Sequence, residues 1–402
     1  MTTQASTAGT PEIADAPTAG RVARVQAAAS AAAAAASAVD RESRFPKEAF
    51  AEIRRQKLLG IMVPKALGGE GASMSDIVDI CYRLGRACGS TGLIYAMHQV
   101  KLACLVPYTA GQPALERILR RIASEQLLLA SSTTEGLAGA NIRESEAPVI
   151  TVGERISLER KATCISYGLE ADGIVTTARR APDAAPSDQV LLVFLKSAYT
   201  LEPSVTWDTL GMRGTCSEGY TLRAVGDRGN ILPLPYERIH ARSMVPTAHL
   251  FWGAVWAGIA AAAVTRARDF IRAASRHSGG RLPPGAAHLT TASASLQTLL
   301  GLLSSATRRF ELALQDPDSL QSLEFQTMIT MTKVEASELA VTTVLRSLRA
   351  CGLAGYRNDS PFAMGRFLRD VLSSPIMINN DRILAGADPA VLMSEAPTAL
   401  SL

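Results

Sequence analysis

Charged residues and closely spaced cysteines are both scarce in this chain, and each scarcity removes a class of protein. Charged residues make up 19% of 402, the net charge is only +4, and no run of Lys or Arg occurs. Neither a nucleic-acid binder nor a charged interaction tail is expected. The six cysteines, Cys81, Cys88, Cys104, Cys164, Cys216 and Cys351, lie far apart and form no CxxC pair. The histidines show no metal-ligand spacing, so no metal is expected, and free thiols suit a reducing, cytoplasmic setting. The longest apolar run, 250–264, is short for a bilayer span of about 20 residues. The N-terminus lacks the basic-then-apolar order of a signal peptide. No GxGxxG follows a strand signal, which disfavours a Rossmann oxidoreductase.

What remains is a chain with 47% apolar residues, a soluble globular balance, long enough for two or three domains. Residues 1–17 are rich in Thr, Ala, Pro and Gly and read as a disordered tail. Residues 21–39 are mostly Ala, the best helix former, and read as a closely packed helix, with a flexible linker as the alternative. Pro46 opens a second helix. Ser73 caps a third, with Ile77, Ile80 and Leu84 at helical spacing. Ser90-Thr91-Gly92 reads as a break before another apolar helix to Val106, in which His98 is a satisfied core or pocket residue. A short helix over 116–124 completes an all-α region of about 125 residues.

The pattern then changes. Short β-branched stretches at 149–152, 154–160, 164–167, 174–177, 190–194 and 220–225 are bounded by Gly, Asp and Pro, the spacing of a compact all-β domain, barrel or sandwich. From about 247 onward long helices return, at 250–275, 286–314 and 323–350, with a last short helix after Pro361. The expected domains are an N-terminal helical domain over 18–128, a middle β-domain over 129–243 and a C-terminal four-helix bundle over 244–402.

Two stretches carry chemistry. Leu210-Gly211-Met212-Arg213-Gly214-Thr215-Cys216-Ser217 sets glycines around an Arg donor fork and follows them with hydroxyls. It reads either as a solvated turn or as a polar ligand cluster. The loop Pro64-Lys65-Ala66-Leu67-Gly68-Gly69-Glu70-Gly71 is glycine-rich but lacks the Lys-Ser/Thr ending and the preceding strand of a P-loop.

With Ser131-Ser132-Thr133-Thr134-Glu135-Gly136 upstream, the Leu210–Ser217 stretch resembles the acyl-CoA dehydrogenase family. The upstream match is degenerate, with Gly136 where Pro is usual and Ala140-Asn141 replacing Ser-Asp; the Leu210–Ser217 match is close. Further anchors are Arg44-Phe45-Pro46, Gly89-Ser90-Thr91 before Met97-His98, residues 161–168, and Gly352 through Arg369-Asp370. The resemblance spans about 20–400 and implies a mainly α fold with a central β-domain. It implies a homotetrameric FAD flavoprotein of lipid metabolism that oxidises acyl-CoA or acyl-carrier-protein thioesters to 2,3-enoyl products. The electron acceptor would be an electron-transfer flavoprotein or oxygen.

Carried over by residue, the resemblance gives cofactor roles to Ser131, Thr133 and Thr134 along the flavin ring and to Ser166 near flavin N5. Cys164 stands where Trp often flanks the ring. Arg276, Gly352 and Gly355 are placed at the adenine end, held by a neighbouring subunit. The usual catalytic Glu is absent. The position counted from Arg369 is Ile378, and the alternative position is Ala248, beside His249. His249 and Asp381 are the candidate bases, alongside no side-chain base at all. The alternatives in function are therefore flavin-dependent monooxygenation, other flavin chemistry on the same fold, or a non-catalytic homologue.

Overall fold

The computed structural model describes residues 16–135, 143–316 and 318–393. The disordered tail expected over 1–17 lies outside them, except for Ala16 and Pro17, which open the first helix. That helix, α1 (Ala16–Glu42), buries Val25, Ala28, Ala32, Ala36 and Val39. Side chains this small let it lie close against α2 (Lys47–Arg55) and α3 (Met74–Ala87). Ser73 caps α3 as expected, accepting from Asp76 N while the Asp76 carboxylate accepts from Ser73 N.

The break expected at Ser90–Gly92 is one residue or more too late. The chain turns at Cys88, whose backbone is extended, and α4 (Gly89–Leu105) contains all three residues. A Cβ on Gly92 would stand 2.6 Å from the Gly85 backbone nitrogen of α3. The glycine is there for close helix approach, and its sequence signature mimics a breaker. The α5 helix (Pro113–Glu125) closes this region.

Among the described residues seven strands form two sheets. These are β1 (Leu129–Ser132), β2 (Ile150–Val152), β3 (Arg155–Ile165), β4 (Gly173–Arg179), β5 (Gln189–Leu195), β6 (Tyr199–Val205) and β7 (Glu218–Asp227). One sheet has the order β1-β4-β5, with β1 and β4 parallel, and the other β2-β3-β7-β6. The stretches 154–160 and 164–167, expected as two strands, are largely one: β3 runs through with an irregularity between Ala162 and Ile165. The β6 strand was not expected, because Glu202-Pro203 argues against a strand. Its place at the sheet edge is where a proline is tolerated.

The chain then passes through α6 (Tyr236–Ile239) and a π-helical turn (His240–Met244) into α7 (Val245–His277). The helices α8 (Ala286–Ala313) and α9 (Leu323–Cys351) pack on α7, followed by α10 (Leu353–Tyr356), α11 (Gly365–Val371) and α12 (Asn380–Met393). The α7 and α9 helices start at one end, where His249 meets Ile329, and Gly285 packs against Ala350 at the other. The α7 helix also crosses α3 and α4, so one hydrophobic core runs through both helical regions and the sheets.

Among the described residues two helical stretches, Gly20–Glu42 and Tyr236–His277, are long and apolar enough to cross a membrane by length and composition. This departs from the sequence expectation, which counted only the uninterrupted apolar run. In the second, 89% of its most apolar 18-residue window is buried within the fold, as in a core helix.

Candidate functional site

The Leu210–Ser217 stretch is a clamp joining four parts of the chain. Met212 and Cys216 both adopt left-handed backbone, φ 52° and 45°, on either side of a short turn, Arg213–Thr215. Met212 N donates to Asp370 Oδ1 of α11 at 2.7 Å, and Gly214 N donates to Ser90 Oγ of α4 at 3.2 Å. Arg213 Nε donates to Asp40 O of α1 at 2.8 Å. Arg369 completes the frame, donating from one NH to Asp40 Oδ1 at 2.9 Å and to Leu210 O at 3.1 Å. The solvated-turn reading is therefore replaced by a buried junction.

From this junction a line of hydroxyls leads to the sheet ends. Thr215 Oγ1 lies 2.7 Å from Ser217 Oγ, which lies 2.8 Å from Ser166 Oγ. Across β3, Thr163 Oγ1 donates to Thr134 Oγ1 at 3.3 Å, and Glu135 bridges to Ala162. Ser131 sits in β1, and Thr133 and Thr134 follow it, all three half-buried. The structure thus brings Thr134 beside the end of β3 that carries Ser166. Ser132 Oγ is buried with no hydrogen-bond partner among the described residues. Short hydroxyls on adjoining strand ends, with Cys164 in place of a bulky residue, suit the polar edge of a flat heteroaromatic ring. The degenerate positions Gly136, Ala140 and Asn141 lie outside the described residues.

Arg276, Gly352 and Gly355 are elsewhere. Arg276 is exposed on the last turn of α7, and Gly352 (φ 54°) ends α9. At 1.5 Å per residue the end of α7 is roughly 40 Å from His249. No hydrogen bond joins these three to the hydroxyl line among the described residues; Gly355 O accepts from Met364 N at 2.8 Å, at the start of α11.

The two locations at which the resemblance seeks a base converge on Lys333 of α9, which the sequence reading missed. Lys333 is fully buried; Nζ donates to Ile378 O and Asn380 Oδ1, each at 2.6 Å, and lies 5.7 Å from the Trp256 ring centroid. Burial pulls its pKa down to about 8. Ile378 itself holds a left-handed φ of 47°, unusual for a β-branched residue. Asn380 Nδ2 donates to Ser337 Oγ and to the exposed Glu338. Asp381 is exposed at the start of α12, its backbone N bonded to Asn379 Oδ1. His249 is buried, and its Nδ1 donates to Ile329 O at 3.1 Å. Desolvation lowers it to about 3, and the Lys333 charge adds to the shift.

Two further histidines, buried His98 and half-buried His240, are held neutral. His98 is the satisfied core residue expected: Nε2 donates to Leu59 O at 2.9 Å, and Nδ1 accepts from Leu129 N at 3.0 Å. Desolvation takes His98 and His240 each to about 4. A histidine whose folded pKa lies below its unfolded 6.5 gives stability that is complete above pH 6.5 and lost as pH falls toward 4. Buried Asp370, raised to about 6 by desolvation, acts oppositely, relieving a cost as pH falls from 6 to 4. Three histidines outweigh one aspartate, so stability should fall by about 3 kcal/mol per pH unit between pH 6 and 4.5. Urea midpoints across that range test this; a flat or rising profile on acidification contradicts it.

Comparison with known proteins agrees with this architecture. Residues 21–126 match the acyl-CoA dehydrogenase N-terminal domain. Cyclohex-1-ene-1-carbonyl-CoA dehydrogenase of Geobacter metallireducens is 26% identical over 354 residues, covering 86% of this chain and 89% of that one. L-evernosamine nitrososynthase of Micromonospora sp. is 26% identical over 357 residues, 84% of this chain and 81% of the other. The FMN-bound structure of TdsC from Paenibacillus sp. A11-2 has a TM-score of 0.80 at 19% identity, over 94% of this chain and 98% of that one. The α-β-α order, the clamp between α1, α4 and α11 and these relatives point the same way: the chain is similar to the acyl-CoA dehydrogenase family, whose N-terminal domain it matches over residues 21–126.

Proposed function

We propose that this chain is a flavin-dependent oxidoreductase that oxygenates a small organic substrate, using reduced flavin and dioxygen. The observation that carries the reading is Lys333. Where the family resemblance calls for a carboxylate, the segment ending in Ile378 and Asn380 is bonded to a buried lysine. Glu338, which joins this network through Asn380, is exposed, and so is Asp381. Abstraction of an α-proton needs a positioned base of suitable pKa. His249, at about 3, is a weak one. The relatedness to a nitrososynthase supports the same reading.

When bound, a reduced flavin supplies the electrons for reaction with dioxygen. The chain's part is to hold and orient it. Thr134, Ser166 and Ser217 would bond the ring edge, while Cys164 and Ser131 leave space along it. FAD is the proposed form, with Arg276, Gly352 and Gly355 of a second copy taking the adenine end in a homotetramer. A second reading, dehydrogenation of an acyl thioester on CoA or a carrier protein, is favoured by the relative that is a cyclohexenoyl-CoA dehydrogenase.

The purified protein, supplied with flavin, separates them. The expected result is flavin binding visible as the yellow band of the oxidised ring, no bleaching by acyl-CoA esters without oxygen, and substrate-linked oxygen consumption once flavin is reduced chemically. Anaerobic bleaching by one class of acyl-CoA establishes the dehydrogenase reading in its place. Absence of flavin binding removes both.

A further inference from the structure

Lys101, on α4, is a buried charge with no oxygen acceptor among the described residues. It is 3% exposed, and its Nζ reaches only a thioether, Met244 Sδ at 3.2 Å. No ion pair to Lys101 occurs among the described residues, and the segment Gly136-Leu137-Ala138-Gly139-Ala140-Asn141-Ile142 contains no acid. A buried ammonium without an oxygen acceptor is costly to keep. Its surroundings add donors and positive charge. His240 and Met244 are the ends of the π-helical turn, a rare backbone form that concentrates at functional sites. His240 Nε2 and Tyr236 Oη are buried without hydrogen-bond partners among the described residues, and their rings lie 5.6 Å apart. Buried Arg160 has two guanidinium nitrogens without hydrogen-bond partners among the described residues, and its Nε pairs with Glu135 at 3.6 Å. Tyr108 Oη bonds Ser243 Oγ at 2.9 Å on the same turn. Tyr108 and His240 are only half-buried, so the group is not sealed.

We propose that Lys101 and His240, with Tyr236 beside them, recognise a carboxylate on the substrate. An ionised carboxylate would give Lys101 the charge-assisted partner the fold withholds, and accept from the donors left open on Tyr236 and His240. This deepens the oxygenase reading by naming a substrate class, small organic carboxylates, which an apolar acyl-chain tunnel would reject. Lys101 and His240 are specificity residues here, and no proton transfer is assigned to them.

The test reads binding alone, so it stands apart from flavin chemistry. Melting temperature and calorimetric titration are followed with benzoate, with benzamide as its neutral isostere, and with inorganic phosphate. Expected are a rise with benzoate that benzamide does not give, affinity for benzoate at least about tenfold weaker in Lys101→Met, and near-parental affinity in Lys101→Arg. Lys101→Met should itself melt no lower than the parent, since it removes a buried charge that lacks an acceptor. Equal benzoate binding by Lys101→Met overturns the proposal, and so does the absence of any benzoate effect. Binding of phosphate alone overturns the carboxylate assignment. Flavin binding, read from the visible spectrum of the same samples, fails or succeeds independently and reports on the oxygenase reading.

Discussion

Replacing Gly211 by alanine is expected to cost at least about 3 kcal/mol. A Cβ there would stand 2.0 Å from Arg369 O, 2.2 Å from its carbonyl carbon and 2.7 Å from Asp370 N. Those are backbone atoms of α11, so no side-chain rotation relieves the clash. The collision must move the helix or the loop. Either displacement stretches the Met212 N bond to Asp370 Oδ1, which is buried, and the Arg369 bond to Leu210 O. The hydroxyl line through Thr215, Ser217 and Ser166 hangs from the same loop, so flavin affinity should fall together with stability. Gly301→Ala provides the contrast. It lies within α8 with nothing within 4 Å of an added Cβ, and should stabilise by about 0.5–1 kcal/mol. Urea unfolding of both variants decides the matter: a Gly211→Ala midpoint equal to the parent's would mean that the junction is not rigid.

The second large effect is expected at Lys333. Lys333→Glu puts a carboxylate in a fully buried site next to two oxygen acceptors, Ile378 O and Asn380 Oδ1. It removes two charge-assisted hydrogen bonds and leaves an uncompensated anion, together worth about 4 kcal/mol or more. Because single domains have only about 5–15 kcal/mol in hand, poor soluble yield is the expected phenotype. Lys333→Met separates charge reversal from loss of the tether. It fits apolar neighbours such as Trp256, so it should cost less than Lys333→Glu while freeing the turn at 376–380 for proteolysis. If Lys333→Glu unfolds within about 1 kcal/mol of the parent, the lysine is not the anchor of that turn.

The anchor also bears on chemistry. Ile378 is held with φ 47° while its carbonyl is bonded to Lys333. Backbone strain of this kind persists only when the surroundings over-determine it. Counting from Arg369 located this turn from sequence, and it also showed that no Glu is there. What the count did not reveal was the lysine from α9, 45 residues away in sequence, that fixes the turn. Lys333 lies in an ordinary amphipathic helix, and its partners are a main-chain oxygen and an Asn. Neither leaves a mark in spacing or composition.

The same limit explains the mistaken helix break. Ser90-Thr91-Gly92 has the composition of a breaker, and local propensity reads it so. Tertiary contact decides otherwise: Gly92 permits α4 to lie against Gly85 of α3, and Ser90 Oγ is needed as the acceptor for Gly214 N. The β6 strand was hidden by Pro203 for a related reason, since only its place at the edge of the sheet excuses the missing donor.

By itself the sequence determined the α-β-α order, the long helices and the cap at Ser73, because these follow from periodicity and local hydrogen bonding. It also determined which residues stand at the family's base positions, because that is a matter of counting. Only the tertiary structure decided that Leu210–Ser217 is a junction rather than a surface turn, and that a lysine occupies the neighbourhood of the missing Glu. It also decided that Lys101 is buried facing a thioether. Those facts depend on which segments, far apart in the chain, are pressed together out of water. Burial of a charge and the identity of its partner are properties of the packed interior, where neighbours come from several elements at once.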